Sequence, residues 1–436
     1  MFVSIASRAQ GSQLPLGVAT RAESTASLVE ICAGAGGQSL GLHRAGFRHE
    51  LAVELDPTAA SSLGQRGWKV AVGDVADRRV WKPEDYSGVD LFAGGVPCPP
   101  FSMAGHQLGA NDERDLFAWA IEQVAIIRPR AVLLENVRGL SSARFSAYRQ
   151  RILDRLGESG YVATWRLLQS ADFGVPQLRP RFVLVAMLPD DAAYFRWPEP
   201  VTEPVTVGAA LHDLMAAEGW QHADEWRELA NAVGPTLVGG SKRHGGADLG
   251  PTRAKAAWAR LHVDGKGIAD NPPSADSLSS TVVMPRLTLE MAARIQGWRA
   301  ADDWQFFGGK TSKYRQIGNA FPPPVAEAVG RSIVSALRHE GGAQVDLQLS
   351  ADVHDPIYLA LARGAAVPMS ELLRALSADN RAHLESKLTA IRRDFELEES
   401  LAGGEPTFKL GAFKGFTGQA EHSRHAFYST HQNLVS

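Results

Sequence analysis

The chain has 436 residues, 44% hydrophobic and 21% charged, with a formal net charge of −3, the make-up of an ordinary folded protein of two or three domains. No apolar run reaches the roughly 18 residues of a membrane span. The only two cysteines, Cys32 and Cys98, exclude a disulfide scaffold or a cysteine-rich metal site and suit a reducing cytoplasm. Total charge hides local bias. Residues 127–181 carry ten arginines against four acidic residues, and 240–266 carry six basic against two, whereas 340–399 hold eleven acidic against six basic. Basic stretches of this kind are where phosphate would be met.

Residues 1–27 lack the apolar core of a signal peptide and are expected to form a flexible lead-in. Short apolar runs then alternate with helical stretches. Strands are predicted at Ser27–Cys32, Glu50–Val53, Lys69–Val72, Val89–Phe92, Ala131–Leu134 and Phe182–Met187. Helices are predicted at Gln38–Ala45, Pro57–Leu63, Asp112–Ile127 and Ser146–Gly157. This rhythm predicts a doubly wound α/β domain with a mostly parallel sheet over 28–189, which binds ligands at the carboxyl ends of its strands. From 190 to 285 Pro, Gly, Trp and basic residues break the pattern, predicting a smaller, loop-rich domain. Helices are predicted at Thr288–Gln296 and Pro324–Leu337, on either side of a tight Ile317–Pro323 turn. The remainder, 341–436, reads as an acidic, partly helical extension of unknown role.

Chemistry-bearing residues gather at the predicted strand ends. In Leu28-Val-Glu-Ile-Cys-Ala-Gly-Ala-Gly-Gly-Gln-Ser-Leu-Gly41 a strand runs through a glycine turn into a helix, letting backbone pass close beneath a ligand. Glu54 ends the second strand, where a carboxylate can accept both ribose hydroxyls. Asp74 ends the third, where it can accept from an adenine amino group. Together these describe an adenosyl pocket, equally suited to a nicotinamide dinucleotide or to S-adenosylmethionine. Phe92-Ala-Gly-Gly-Val-Pro-Cys-Pro-Pro-Phe-Ser102 then sets Cys98 in a stiff Gly/Pro turn, where a thiolate can be presented to a substrate. Cys32, inside an apolar strand, reads as core. Glu135 closes an apolar run, a costly place for a carboxylate without work or a partner. In Val175-Pro-Gln-Leu-Arg-Pro-Arg-Phe182, the alternation of Gln177, Arg179 and Arg181 can aim two guanidinium groups the same way; a surface ion-pair ladder is the plainer reading.

With these residues in place, the chain resembles the DNA cytosine-5 methyltransferase family of bacterial modification type. The ordered series comprises the glycine turn, Glu54, Gly73-Asp74, Pro97-Cys98, Arg114-Asp-Leu-Phe, Glu135-Asn-Val, Gln177-Leu-Arg-Pro-Arg181, Arg286–Gly297 and Tyr314–Pro324. The resemblance implies the class I S-adenosylmethionine-dependent methyltransferase fold. It implies Cys98 as the nucleophile attacking a cytosine, supported by Glu135, Arg179 and Arg181. It implies S-adenosylmethionine as cofactor, S-adenosylhomocysteine as product, and no metal. On that reading Cys32, Ala33, Gly34, Gly36 and Gly37 of the glycine turn, with Glu54, Leu55, Asp74 and Val75, hold the adenosyl part; Pro97, Leu116, Asn319 and Phe321 complete the pocket. Phe101–Arg114 becomes a loop that closes over a flipped-out base. Two departures stand out. Cys32 sits where Phe is usual, and Pro99 follows the nucleophile where Gln is common.

The resemblance also makes 190–285 a target-recognition domain and, through the position of Asn319, implies that 286–340 returns to the first domain. Its Lys242, Arg243, His244, Arg253, Lys255 and Arg260, with Ser102 and Gln177, are the expected DNA contacts. The expected partner is double-stranded DNA, met by a monomer in the cytoplasm without a membrane, alongside a restriction endonuclease with which it forms no stable complex. Competing readings are an RNA cytosine-5 methyltransferase, a catalytically silent DNA-binding protein and a nicotinamide oxidoreductase. The last leaves Cys98, Glu135 and Arg181 without a role.

Overall fold

The computed structural model describes residues 25–96, 116–201, 203–240, 246–344, 354–376, 380–422 and 424–425. The lead-in up to 24, the Cys98 turn with the following loop, and Lys242–His244 lie outside the described residues.

The first half of the chain builds one sheet with helices on both faces. In chain order come β1 (Ser27–Ile31), α1 (Gly37–Arg44), β2 (Arg48–Glu54), α2 (Pro57–Gly64), β3 (Val70–Val72), β4 (Leu91–Gly95), α3 (Phe117–Ile127), β5 (Ala131–Val137) and α4 (Ser146–Glu158). Then follow β6 (Val162–Gln169), the short β7 (Gln177–Leu178) and β8 (Pro180–Met187). The seven-stranded order is β3-β2-β1-β4-β5-β8-β6. The first five strands run parallel, while β8 is antiparallel to both β5 and β6. Strand β6 is absent from the predicted set. It is an edge strand, half exposed, and its Thr164, Arg166 and Gln169 break the apolar run that marks a strand buried on both faces.

Alternation along the strands makes two cores. Val29, Ile31, Phe92, Val132, Leu134 and Leu184 face α3 and α4, meeting Phe117, Ile121, Tyr148 and Ile152. Leu28, Leu91, Leu133, Val183 and Val185 face the other way, onto Val325, Val329 and Ile333. The latter belong to a long helix that packs so closely on α1 that a side chain at Gly41 would strike Ala326 and Glu327.

After α5 (Pro189–Ala192), α6 (Val207–Met215), α7 (Ala223–Leu229), β9 (Gly234–Pro235) and α8 (Thr252–Ala259) form a second unit. Its core holds Trp220, Trp226 and Trp258. The next helices, α9 (Leu289–Gln296) and α10 (Lys310–Asn319), contribute Met291, Ile295, Tyr314 and Ile317 to that same core. The expected return to the sheet at 286 is thus displaced: α11 (Pro323–Leu337) is the first helix back on it. Ile317–Asn319, expected in the turn, are the last residues of α10.

The described part of the C-terminal extension is a small α/β unit: α12 (Pro356–Leu361), β10 (Val367–Pro368), α13 (Met369–Ala375), α14 (Arg381–Asp394), β11 (Phe395–Ala402) and β12 (Glu405–Phe413), with sheet order β10-β12-β11. It is fastened to α4. Asp355, buried, accepts from Ser146 Oγ at 2.5 Å and from Lys387 Nζ at 3.0 Å. Beyond β12, Phe416 enters the core beneath the first five strands.

Candidate active site

Parallel strands put their carboxyl ends on one rim. At the β1 end Cys32, Gly34 and Gly36 all take positive φ (51°, 57° and 89°), and Gly36 caps α1. A Cβ at Gly36 would sit 2.6 Å from the Trp304 ring and 2.8 Å from Leu63, so the turn has no room for a side chain there. At the β2 end Glu54 fixes the turn: Gly34 N–H donates to Oε2 at 2.7 Å and Asp56 N–H to Oε1 at 2.8 Å. Burial pushes the Glu54 pKa up, and those backbone N–H groups pull the other way. Asp56 itself caps α2 through Thr58 and Ala59.

At the β3 end Asp74 is buried and accepts the Ala76 N–H at 3.0 Å. Val75 and Leu116 are both buried in the core below. Cys32 packs on that core too. Its thiol is pushed well up by burial, then by the Glu54 and Asp74 carboxylates, which keeps it protonated and unreactive. Ala33 donates its N–H to Val53 at 3.2 Å, and Leu55 follows Glu54 half-buried. Phe321 is buried with its carbonyl against Gly37, which would collide with it if it carried a Cβ.

The other half of the rim is made by β4, β5 and β8. Gly95 pairs with Glu135, and Val137 pairs with Arg181. Glu135 is two residues from Val137, so its side chain shares a sheet face with Arg181 on the neighbouring strand. The two form an ion pair, Arg181 Nε to Glu135 Oε1, at 2.6 Å, with both residues at least 90% buried. Burial raises the Glu135 pKa against the opposing pull of Arg181 and Arg179, so this carboxyl holds its proton more readily than a solvated one. Arg181 Nη1 donates to the Pro180 carbonyl at 2.9 Å. Neighbouring Asn136 reaches from β5 to the Val96 carbonyl at 3.5 Å, the last described residue before the segment carrying Pro97, Cys98 and Ser102.

Residues 26–335 match the family model of the C-5 cytosine-specific DNA methylases. The chain is 56% identical over 413 residues to the type II methyltransferase M.NaeI of Lentzea aerocolonigenes, covering 94% of this chain and 99% of that protein. It is 50% identical over 318 residues to M.NgoMIV of Neisseria gonorrhoeae, covering 72% and 98%. The chain belongs to this methylase family. A solved E. coli structure, described as a DNA modification methyltransferase encoded within a prophage, shares its fold at a TM-score of 0.50 and 21% identity, covering 72% of this chain and 99% of that one.

Within this methylase two expected site residues prove to be internal. Gln177, expected at the DNA, has no exposed surface: its amide donates to Ile295 O at 3.0 Å and to Gln296 Oε1 at 2.5 Å, and it accepts from Leu237 N–H at 3.0 Å. Arg179, expected to act on the base with Arg181, is 98% buried and spends its Nη atoms on the carbonyls of Leu237, Gly318 and Ala320 at 2.7–3.1 Å. It stitches the link between β7 and β8 to the second unit and to the α10–α11 turn. The edge is not a surface ion-pair ladder, because it is roofed by segments distant in sequence.

Asn319 is exposed at the end of α10, and its Nδ2 donates to the Gly240 carbonyl at 3.2 Å. In the second unit Arg253 and Arg260 are exposed on and beside α8. Lys255 is half-buried, and Asp248 holds its ammonium at 2.9 Å, which removes charge from the basic patch. Sequence reasoning missed Gln296, whose amide Nε2 donates to Ala320 O at 2.5 Å. It also missed Arg424, whose guanidinium reaches Asp74 from the extension. Glutamine in the Ile-Gln-Gly run was a visible signal for the first; nothing in the sequence marked the second.

Proposed function

We propose that this methylase transfers a methyl group from S-adenosylmethionine to carbon 5 of a flipped-out cytosine in a specific double-stranded DNA sequence, through a covalent adduct with Cys98, and that it serves a type II restriction-modification system. The observation that carries this reading is the buried Glu135–Arg181 pair beside the end of β4, the strand that leads into the Cys98 turn. A carboxyl whose pKa burial raises and a guanidinium fixed beside it suit the N3 and carbonyl edge of a cytosine.

The chain's groups fit the donor. Glu54, held in place by backbone N–H groups, can accept from ribose, Asp74 can accept from the adenine amino group, and Gly34 has open space where a Cβ would stand. The buried Gln38 amide, next to Gly95 and Glu135, has no hydrogen-bond partner among the described residues and would welcome a polar ligand. S-adenosylmethionine, when bound, supplies the methyl group as an electrophilic sulfonium.

A cytosine stacked in a duplex cannot present its face to a thiol, so the base is flipped out. The Cys98 thiolate adds to carbon 6, the ring electrons move toward N3, and Glu135 delivers a proton there. Arg181 holds the base carbonyl and offsets developing negative charge. Carbon 5 becomes nucleophilic and takes the methyl group. Loss of the carbon-5 proton to solvent, return of the N3 proton to Glu135 and departure of Cys98 as thiolate restore the aromatic ring and the enzyme, leaving S-adenosylhomocysteine as the other product. Arg253 and Arg260, exposed on and beside α8, contact the DNA phosphates and base edges. The enzyme works in the cytoplasm on nucleoid DNA.

Bisulfite sequencing of plasmid from cells expressing the chain tests the reading, with protected cytosines expected at one recurring sequence. Cys98→Ala should abolish protection while the purified variant still binds S-adenosylhomocysteine. Normal protection by that variant would rule out the covalent route.

A further inference from the structure

The C-terminal extension sends one side chain into the adenosyl end of the site. Arg424 is 95% buried, although it lies 350 residues along the chain from Asp74, its partner. The pairing is two-pronged: Nη2 donates to Oδ1 at 2.6 Å and Nη1 to Oδ2 at 2.8 Å. The guanidinium also rests on the Phe416 ring, 5.0 Å from its centre. Phe416 is anchored in the core beneath the sheet and flanked by the rings of His422 and His425. Phe416 thus ties the extension to the core by an aromatic ring, and Arg424 ends on the β3 carboxylate. Arg424 lies far beyond the part of the chain that carries the family match, which ends at residue 335.

We propose that Arg424 is a positioning residue for cofactor recognition, supplied by the extension, which fixes the Asp74 carboxylate in the orientation that accepts the adenine amino group. The acceptor count supports this. A carboxylate offers about four acceptor sites. Arg424 takes one on each oxygen and the Ala76 N–H takes a second on Oδ1, so one site on Oδ2 stays open for an outside donor. A fork-shaped guanidinium sets the plane of its partner carboxylate as a single point charge cannot. With that plane set, the open site points in one direction. The proposal rests on the reading of Asp74 as the adenine acceptor.

The test uses the full-length protein and calorimetric titration with S-adenosylhomocysteine and with S-inosylhomocysteine, which carries a keto oxygen in place of the amino group. Arg424→Ala is expected to weaken S-adenosylhomocysteine binding about tenfold or more while leaving S-inosylhomocysteine binding within about twofold. In the Asp74→Asn background the same change should add nothing, the mark of two residues acting through one another. In turnover, KM for S-adenosylmethionine should rise with kcat unchanged, and Arg424→Lys should recover only part of the loss. If Arg424→Ala binds S-adenosylhomocysteine as well as the parent, or better, while Asp74→Asn binds it poorly, the positioning role is overturned. Equal loss for both ligands would also overturn it, exposing a general disturbance of the fold. If Asp74→Asn itself binds normally, the underlying assignment of Asp74 fails first.

Discussion

Glu30 gives the methylase a pH-dependent weakness that a single amide should remove. It lies in the middle of β1 between Ala52 of β2 and Ala93 of β4, with no exposed surface. Burial pushes its pKa up to about 8 from an ordinary 4.5; the Ser39 hydroxyl beside it makes no well-formed hydrogen bond and only tempers the rise, to which Glu54 adds. The folded state therefore keeps a proton that the unfolded chain releases. The contribution to stability is complete below pH 4.5, falls as pH rises, and is lost above about pH 8. That window spans roughly 3.5 pH units at about 1.4 kcal/mol each, an upper limit near 5 kcal/mol. Glu30→Gln cannot ionise. Its stability relative to the parent should therefore improve by roughly 3–4 kcal/mol between pH 5 and pH 8, whatever the fixed cost of burying the amide. Urea unfolding followed by circular dichroism at pH 5, 6.5 and 8 reads this directly. If the two proteins keep a constant stability difference across that range, Glu30 is not the group that titrates.

Other substitutions probe the site more locally. Glu135→Gln keeps the shape but removes the proton carried to the base, so kcat should fall by about a hundredfold or more while S-adenosylhomocysteine affinity holds; turnover near the parent rate would dismiss Glu135 as the acid. Arg179→Met leaves the Leu237, Gly318 and Ala320 carbonyls without their donor and should cost about 3 kcal/mol. An unchanged thermal midpoint would mean that the clamp is dispensable. Gly36→Ala forces a Cβ into the Trp304 ring at a positive φ, and titration should show weaker cofactor binding; parent-like affinity would show that the turn can give way.

The sheet was legible because parallel strands buried on both faces read as unbroken apolar runs, and the rim residues because carboxylates seldom end such runs by accident. What escaped was decided by partners far away in sequence. Arg179 and Gln177 have the look of an exposed edge until Leu237, Ile295 and Gly318 are folded over them. The pattern of α9 and α10 says only that each has one apolar face; whether that face meets the sheet or the tryptophans of the second unit depends on where the chain travels between 190 and 285. Arg424 is one arginine in a stretch with no recognisable motif, and only closure of the extension around the sheet gives it meaning.

The antiparallel placement of β8 accounts for the chemical half of the site. Five parallel strands deliver residues to the rim only from their carboxyl ends, and that supplies Glu54, Asp74 and Glu135. An arginine at the start of a parallel strand would emerge at the opposite rim. Because β8 runs the other way, its first residues lie at the carboxyl end of β5, and Val137 pairs with Arg181. Reversal of this one strand thus puts a cation beside a carboxylate with no excursion of the backbone, and the hydrogen-bond register fixes their separation. A one-residue slip between β5 and β8 would turn the Arg181 side chain to the other face, into the layer of Phe182, Leu184 and the helices α3 and α4, away from Glu135. The ion pair and the sheet register therefore specify one another.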